Sequence, residues 1–186
     1  DCVIDFGGDV CMTSDQHQTG SDRLVEVAQT RGWSDDLIVV NLQGDEPLMP
    51  SVNMTQVASN LAQSNCDMTT LHKVISRSQA LDPNQVKLVH NSLGETNYFS
   101  RSLIPFDRVD QSQKFLGHIG IYAYRVSFLK AFTKLPACEI ETREKLEQLR
   151  ALWNGYSIHT ELATELPGPG VDTEQDLQQV IQILQS

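Results

Sequence analysis

The stretch Ile38-Val39-Val40-Asn41-Leu42-Gln43-Gly44-Asp45-Glu46-Pro47 decides the fold. Its apolar, largely β-branched opening reads as a strand covered on both faces of a sheet. Gly44 and Pro47 end the run, because proline cannot donate to a ladder. A buried strand thus delivers the amide of Gln43 and the carboxylates of Asp45 and Glu46 to its own C-terminal end. In open α/β sheets ligands bind just outside those ends, and acids there suit a metal ion beside a phosphate better than they suit a core.

Working outward, strand and helix signals alternate. Asp9 to Met12 reads as a short strand, and Thr19 to Arg31 as a helix with Leu24, Val25, Val27 and Ala28 at helical spacing and Gly32 at its stop. Leu37 to Leu42 is the second strand, and Ser51 is an N-cap for a helix from Val52 to Gln63. Met68 to Val74, Val86 to His90 and Thr96 to Phe99 are further strands, the last two joined by the hairpin-like turn Asn91-Ser92-Leu93-Gly94-Glu95. Ser102 to Gln113 is a loop, Ile119 to Tyr124 an alternating strand, and Val126 to Thr133 and Ile140 to Trp153 are helices. Ile158 to Leu162 is the last strand, Pro167-Gly168-Pro169-Gly170 a turn, and Thr173 caps a terminal helix reaching Leu184. This alternation predicts one α/β domain over residues 1–186, with a mixed, mostly parallel sheet between two helical layers.

The 186 residues suffice for one self-supporting core, and the net charge of -10 argues against duplex nucleic acid, whose phosphates need clustered Lys and Arg. Cys2, Cys11, Cys66 and Cys138 form no C-x-x-C pair, as in a protein of a reducing compartment. No apolar stretch approaches the ~20 residues of a membrane span, and the expected location is the cytoplasm. No nucleic acid and no membrane are expected as partners.

Several residues could carry chemistry. Asp172 follows Gly170-Val171 and precedes the final helix, so it could meet Asp45 across one metal ion; as an ordinary helix N-terminal residue it needs no such role. His17-Gln18-Thr19-Gly20-Ser21-Asp22-Arg23 opens a helix with free N–H groups, hydroxyls and an arginine, which suits an anionic or heteroaromatic ligand and equally a plain capped turn. In His118-Ile119-Gly120-Ile121-Tyr122-Ala123-Tyr124, alternation puts His118, Gly120, Tyr122 and Tyr124 on one face. That face could line a polar pocket or hold one satisfied core histidine. No Ser-His-Asp set, G-x-S-x-G or phosphate-loop motif is present.

Taken together, the segments resemble the cytidylyltransferases that activate the acidic sugar 3-deoxy-manno-octulosonate (Kdo), the CMP-Kdo synthetases. The resemblance rests on Phe6-Gly7-Gly8-Asp9-Val10-Cys11-Met12-Thr13, the His17 to Arg23 turn, Val40-Asn41-Leu42-Gln43-Gly44-Asp45-Glu46-Pro47, and Tyr98-Phe99-Ser100-Arg101 with Ile104-Pro105. His118-Ile119-Gly120-Ile121-Tyr122, Leu146-Glu147-Gln148-Leu149-Arg150 and Pro169-Gly170-Val171-Asp172-Thr173 complete it, in the family's order. The resemblance implies a GT-A-like nucleotide-diphospho-sugar transferase fold and a homodimer, with the dimerisation hairpin around 86–125. It also implies transfer of CMP from CTP to Kdo with release of pyrophosphate, for lipopolysaccharide biosynthesis. By the family pattern Asp45 and Asp172 would hold Mg²⁺, and Gln43 would lie between nucleotide and sugar. Gly20, Ser21 and Arg23 would sit near cytosine or ribose, while Arg101, His118, Tyr122, Glu147 and Gln148 would form the sugar pocket, Arg101 facing the carboxylate.

The turn reads Thr19-Gly20-Ser21 where the family more often has Ser-Gly-Thr, an exchange between two hydroxyl donors. The family's first strand and its Pro-Ala-Arg-x-x-Ser-x-Arg-Leu-Pro-Gly-Lys-Pro loop, which wraps the triphosphate, are not in this sequence. The expectation is therefore an active intact enzyme and a weakly active or inactive chain when expressed alone. Rival readings are a CMP-sialic acid synthetase, a cytidylyltransferase for a modified Kdo, and a non-catalytic fragment that dimerises or binds the sugar acid.

Overall fold

The structure is a computed structural model that describes residues 2–108, 114–171 and 173–185. A short helix α1 (Cys2–Asp5) precedes α2 (Gly20–Thr30), and residues 9–12 between them are irregular, so the expected first strand is not formed there. That segment has no ladder partner among the described residues, and a lone β-rich tetrapeptide is not a strand without one. Thr19 caps α2 as expected: its hydroxyl accepts from Asp22 N–H at 3.2 Å and its own N–H donates to the Asp22 carboxylate at 3.2 Å. Gly32, at φ 63, takes the left-handed conformation that ends the helix.

Strand β1 (Ile38–Asn41) leads into α3 (Ser51–Gln63), which starts one residue earlier than expected because Pro50, not Ser51, is the N-cap. Next come β2 (Met68–Ser76), α4 (Arg77–Ala80), β3 (Lys87–His90), β4 (Thr96–Ser100) and β5 (Lys114–Arg125). The chain continues through α5 (Val126–Phe132), α6 (Glu139–Glu144), α7 (Gln148–Trp153), β6 (Ile158–Leu162) and α8 (Glu174–Leu184). The helix expected over 140–153 is broken into α6 and α7 at Lys145, which adopts a left-handed backbone at φ 55. Of the loop expected from Ser102 to Gln113, residues 109–113 lie outside the described residues, and so does Asp172.

All six strands form one sheet in the order β4-β3-β5-β2-β6, with β1 also paired to β5. The mixed α/β architecture is as expected, with one correction to strand direction. Only β2 and β6 pair in parallel; β1, β2 and β3 each run antiparallel to β5, and β3 to β4. The long β5 returns through the middle of strands that run the other way, so most ladders are antiparallel. Alternation along β5 builds the two cores. Ile119, Ile121 and Ala123 pack with Val57 and Leu61 of α3, while Tyr122 and Tyr124 pack with Ala28 of α2, Leu129 of α5 and Leu149 of α7. Helices therefore cover both faces.

The centre of β5 departs from a regular ladder. Pairing with β2 steps from Thr70↔Tyr122 to Leu71↔Ile119, leaving Gly120 and Ile121 bulged out. On the opposite edge β1 ends its pairing at Tyr122 and β3 begins its own at Gly117, so no strand of the described residues covers the bulge. A gap in that edge opens at Gly120.

Candidate active site

A cavity of about 680 Å³ sits over this gap. Its floor is the β5 face bearing His118, Gly120, Tyr122 and Tyr124, the set that alternation predicted. One wall is Asn41, Gln43 and Gly44 at the end of β1, and another is Gly20 and Ser21 in the first turn of α2. Arg101, just past β4, and Lys145, Leu146, Glu147 and Gln148, from the break between α6 and α7, close the far side. The break matters here, because a continuous helix could not present four consecutive residues to one space.

Hydrogen bonds fix most of these side chains. Arg101 donates through Nε to the Glu144 carbonyl at 2.7 Å and through Nη1 to the Pro83 carbonyl at 3.0 Å. Its backbone N–H and the Ser100 hydroxyl both donate to the Glu144 carboxylate, at 2.8 and 2.7 Å. The fully buried Lys87 donates to the carbonyls of Arg101 and Asp82, so the strand end that carries Arg101 is held from below. Burial pushes the Lys87 ammonium below its ordinary range. Ser21 donates to Glu147 Oε2 at 2.9 Å, while Oε1 is buried with no hydrogen-bond partner among the described residues and lies 3.6 Å from Arg150 Nη2. That oxygen is turned inward, toward the guanidinium of Arg150.

The ring of His118 is bracketed by Phe99, edge-on at 5.2 Å, and Tyr122 at 5.3 Å between centroids. Burial, with His72 beside it, pushes His118 down to about 3, so it is neutral near pH 7. Burial, reinforced by Tyr124 and Glu147, raises Tyr122 well above the usual phenol range, so it stays a donor. The cavity therefore offers a guanidinium, the ammonium of Lys145, amides, a phenol and a carboxylate. That set suits a polyhydroxylated acid, with cations for its carboxylate and donors and acceptors for its hydroxyls.

Asp45 lies beside the cavity rather than in its lining. It is exposed, and its carbonyl accepts from Val171 N–H at 2.8 Å, which ties the end of the Gln43-Gly44-Asp45 run to the segment entering Asp172. Gly170 leaves room there: a side-chain carbon on it would approach the Asp45 carbonyl to 3.2 Å, a tight contact. A second cavity of about 300 Å³, lined by Glu46, Lys73, Gln85 and Gly168 to Gly170, shares His118 and Gly120 with the first as lining residues.

Residues 1–159 match the family model described as cytidylyltransferase. The chain belongs to the cytidylyltransferase family. Over 189 aligned residues it is 48% identical to the 3-deoxy-manno-octulosonate cytidylyltransferase of Haemophilus ducreyi, which takes in 96% of this chain and 75% of that protein. A protein of the same name from Glaesserella parasuis is 47% identical, with 98% of this chain and 75% of the relative covered. Among solved structures, a CMP:2-keto-3-deoxy-manno-octonic acid synthetase complexed with CTP matches with a TM-score of 0.90 at 39% identity, covering 98% of this chain and 75% of that one.

Within this cytidylyltransferase, Gly20, Ser21, Gln43, Arg101, His118, Tyr122, Glu147 and Gln148 all line the one cavity. Arg23 does not: its guanidinium turns away to the Thr13 hydroxyl at 2.8 Å and the Ser14 carbonyl at 3.0 Å. Asn41 and Lys145 also line the cavity, and neither was expected there from the sequence. Asn41 had a signal, since it lies two positions before Gln43 on a strand. Lys145 had none, because only the helix break brings it to the cavity.

Proposed function

We propose that this protein transfers CMP from CTP to Kdo and releases pyrophosphate. The observation that carries this reading is the single cavity in which Arg101, Tyr122, Glu147 and Gln148 meet Gly20, Ser21 and Gln43. One side suits an acidic sugar and the other a nucleotide. In the reaction the anomeric hydroxyl oxygen of the sugar attacks the α-phosphorus of CTP, its bond to the bridging oxygen of pyrophosphate breaks, and the hydroxyl proton leaves to solvent.

Arg101 takes the sugar carboxylate, where a planar fork outperforms a lysine. Glu147 accepts from sugar hydroxyls, its carboxylate fixed by the Ser21 hydroxyl on one oxygen and Arg150 on the other. Tyr122 and Gln148 donate to sugar oxygens. Gln43 lies between the two ligands, and the α2 turn at Gly20 and Ser21 takes the cytosine or ribose. Holding both reactants in one cavity supplies the orientation on which phosphoryl chemistry depends.

Asp45 and Asp172 would hold Mg²⁺. Two supports are the exposed Asp45 and the backbone bond to it from Val171, the residue before Asp172 in the sequence. Hard oxygen ligands of this kind, completed by phosphates and water, are the usual Mg²⁺ set. When bound, the ion neutralises phosphate charge and makes the sugar hydroxyl a better nucleophile. A homodimer is part of the same reading, formed through residues 86–125, where Leu93 and Phe106 are exposed at 72% and 83%. Four unpaired cysteines support a cytoplasmic location, and among the described residues no helix is long and apolar enough to cross a membrane.

Pyrophosphate release from CTP tests the reading, with Kdo or sialic acid as acceptor and with Mg²⁺ or a chelator. Turnover of about 1 per second or more with Kdo is expected, lost on chelation and much slower with sialic acid. No release with Kdo, or a higher kcat/KM with sialic acid, refutes it.

A further inference from the structure

The β-bulge under the cavity contains a proton count that assigns a role to Thr70. This residue is fully buried on β2, and its hydroxyl oxygen has three polar neighbours. The Ile121 carbonyl lies at 2.8 Å, the Ile119 carbonyl at 3.2 Å and His118 Nε2 at 3.0 Å. A threonine hydroxyl has one proton to donate and two lone pairs that accept. Both carbonyls are acceptors only.

If Thr70 spent its proton on His118, the Ile121 oxygen would face the hydroxyl oxygen at 2.8 Å with no hydrogen between them, an uncompensated contact between two buried lone pairs. The proton therefore goes to a bulge carbonyl, and the Thr70 oxygen must accept from His118. Nε2 then carries the hydrogen. In a neutral imidazole the other nitrogen is left as a lone pair. His118 Nδ1 makes no hydrogen bond among the described residues, and the ring lines the cavity. Phe99 and Tyr122 hold the ring from two sides, and His118 N–H donates to the Val86 carbonyl at 2.8 Å, which anchors its backbone.

Resting on the reading of this cavity as the acidic-sugar pocket, we propose that Thr70 is a positioning residue that locks His118 as the Nε2–H tautomer, so that Nδ1 accepts a hydrogen bond from a sugar hydroxyl. The histidine then contributes no positive charge to the sugar carboxylate, which is left to Arg101. The bulge is the device that makes this possible. Only because Gly120 and Ile121 are displaced do two carbonyls converge on one hydroxyl and settle which way its proton points.

The test combines a spectrum with kinetics. In ¹⁵N-labelled protein the His118 ring nitrogens are assigned by their loss in His118→Gln, and long-range ¹H–¹⁵N correlation reads which nitrogen is protonated. Wild type and Thr70→Ser should show a protonated Nε2 and a pyridine-like Nδ1, and Thr70→Val should lose that preference. In the pyrophosphate assay Thr70→Val should raise KM for Kdo about tenfold, the scale of one misdirected hydrogen bond. Its kcat and its KM for CTP should stay near wild type, and Thr70→Ser should restore the sugar KM. A protonated Nδ1 in wild type or Thr70→Ser overturns the proposal, even where Thr70→Val fails to fold. Equal losses toward both substrates in Thr70→Val also overturn it, since they mark a structural role. No turnover with Kdo alongside a protonated Nε2 instead refutes the functional reading, and with it the hydroxyl contact, while the tautomer stands.

Discussion

Replacing Glu141 by alanine should destabilise the protein by about 3 kcal/mol, the lower end of what breaking one side of a buried ion pair costs. Arg150 reaches Glu141 through Nε at 2.9 Å and Nη2 at 2.5 Å, and the two side chains are only 11% and 12% exposed. Without Glu141 the guanidinium keeps a contact with Glu147 at 3.6 Å and its place 5.0 Å from the centroid of the Phe132 ring, which is why the lower end applies. Cys138 N–H also loses its acceptor on Glu141, 3.2 Å away. Removing both charges in Glu141→Ala/Arg150→Met should return part of the loss, to about 1–2 kcal/mol, because no stranded cation remains and what persists is the missing cation–π contact and cap. Urea unfolding at equilibrium, followed by circular dichroism, gives both numbers. A single-variant cost below about 1 kcal/mol, the range of an exposed pair, would refute the reasoning, as would a double variant no more stable than the single one.

Other outcomes follow from the same geometry. Arg101→Lys should raise KM for Kdo about tenfold or more with little change in KM for CTP, since a lysine cannot reproduce the fork; steady-state kinetics with each substrate varied checks it. Burial holds His72 near 4 and His118 near 3, against 6.5 for an ordinary histidine. The unfolded chain therefore binds more protons below pH 6.5, and stability is complete above that pH and falls as pH drops toward 4 and 3. Urea midpoints from pH 7.5 to 4.5 should show this acid limb, and His72→Gln should make it shallower. Gly94→Ala should cost more than ~1 kcal/mol, because Gly94 has φ +79 and an added methyl would meet His159 Cε1 at 2.7 Å; thermal melting reads the loss.

The parts of the fold legible in the sequence were those set locally. Thr19 and Asp22 announced the start of α2, Thr173 and Asp176 that of α8, and Gly94 the hairpin between β3 and β4, because caps and turns are made by neighbours in the chain. The apolar run ending at Gln43 announced a strand that points its terminus at a ligand, and alternation put His118 and Tyr122 on one face. Strand direction was not legible. The continuous apolar run of β1 favours parallel ladders, whereas the alternation along β5 is an antiparallel pattern that does not name its partners. Lys145 was hidden for a different reason: a lysine in a charged, helix-favouring run gives no warning of a left-handed backbone, for which glycine is the usual marker. Arg23 shows the reverse failure, a residue of suitable chemistry beside the site whose guanidinium is spent on Thr13 and Ser14.

Gly120 lines both cavities, as His118 does, on a stretch of β5 that no strand of the described residues covers along one edge. Its backbone is ordinary, and nothing lies within 4 Å of where a methyl would project. A side chain at this position would thus take its volume from open space beside both cavities and displace no neighbour in the core.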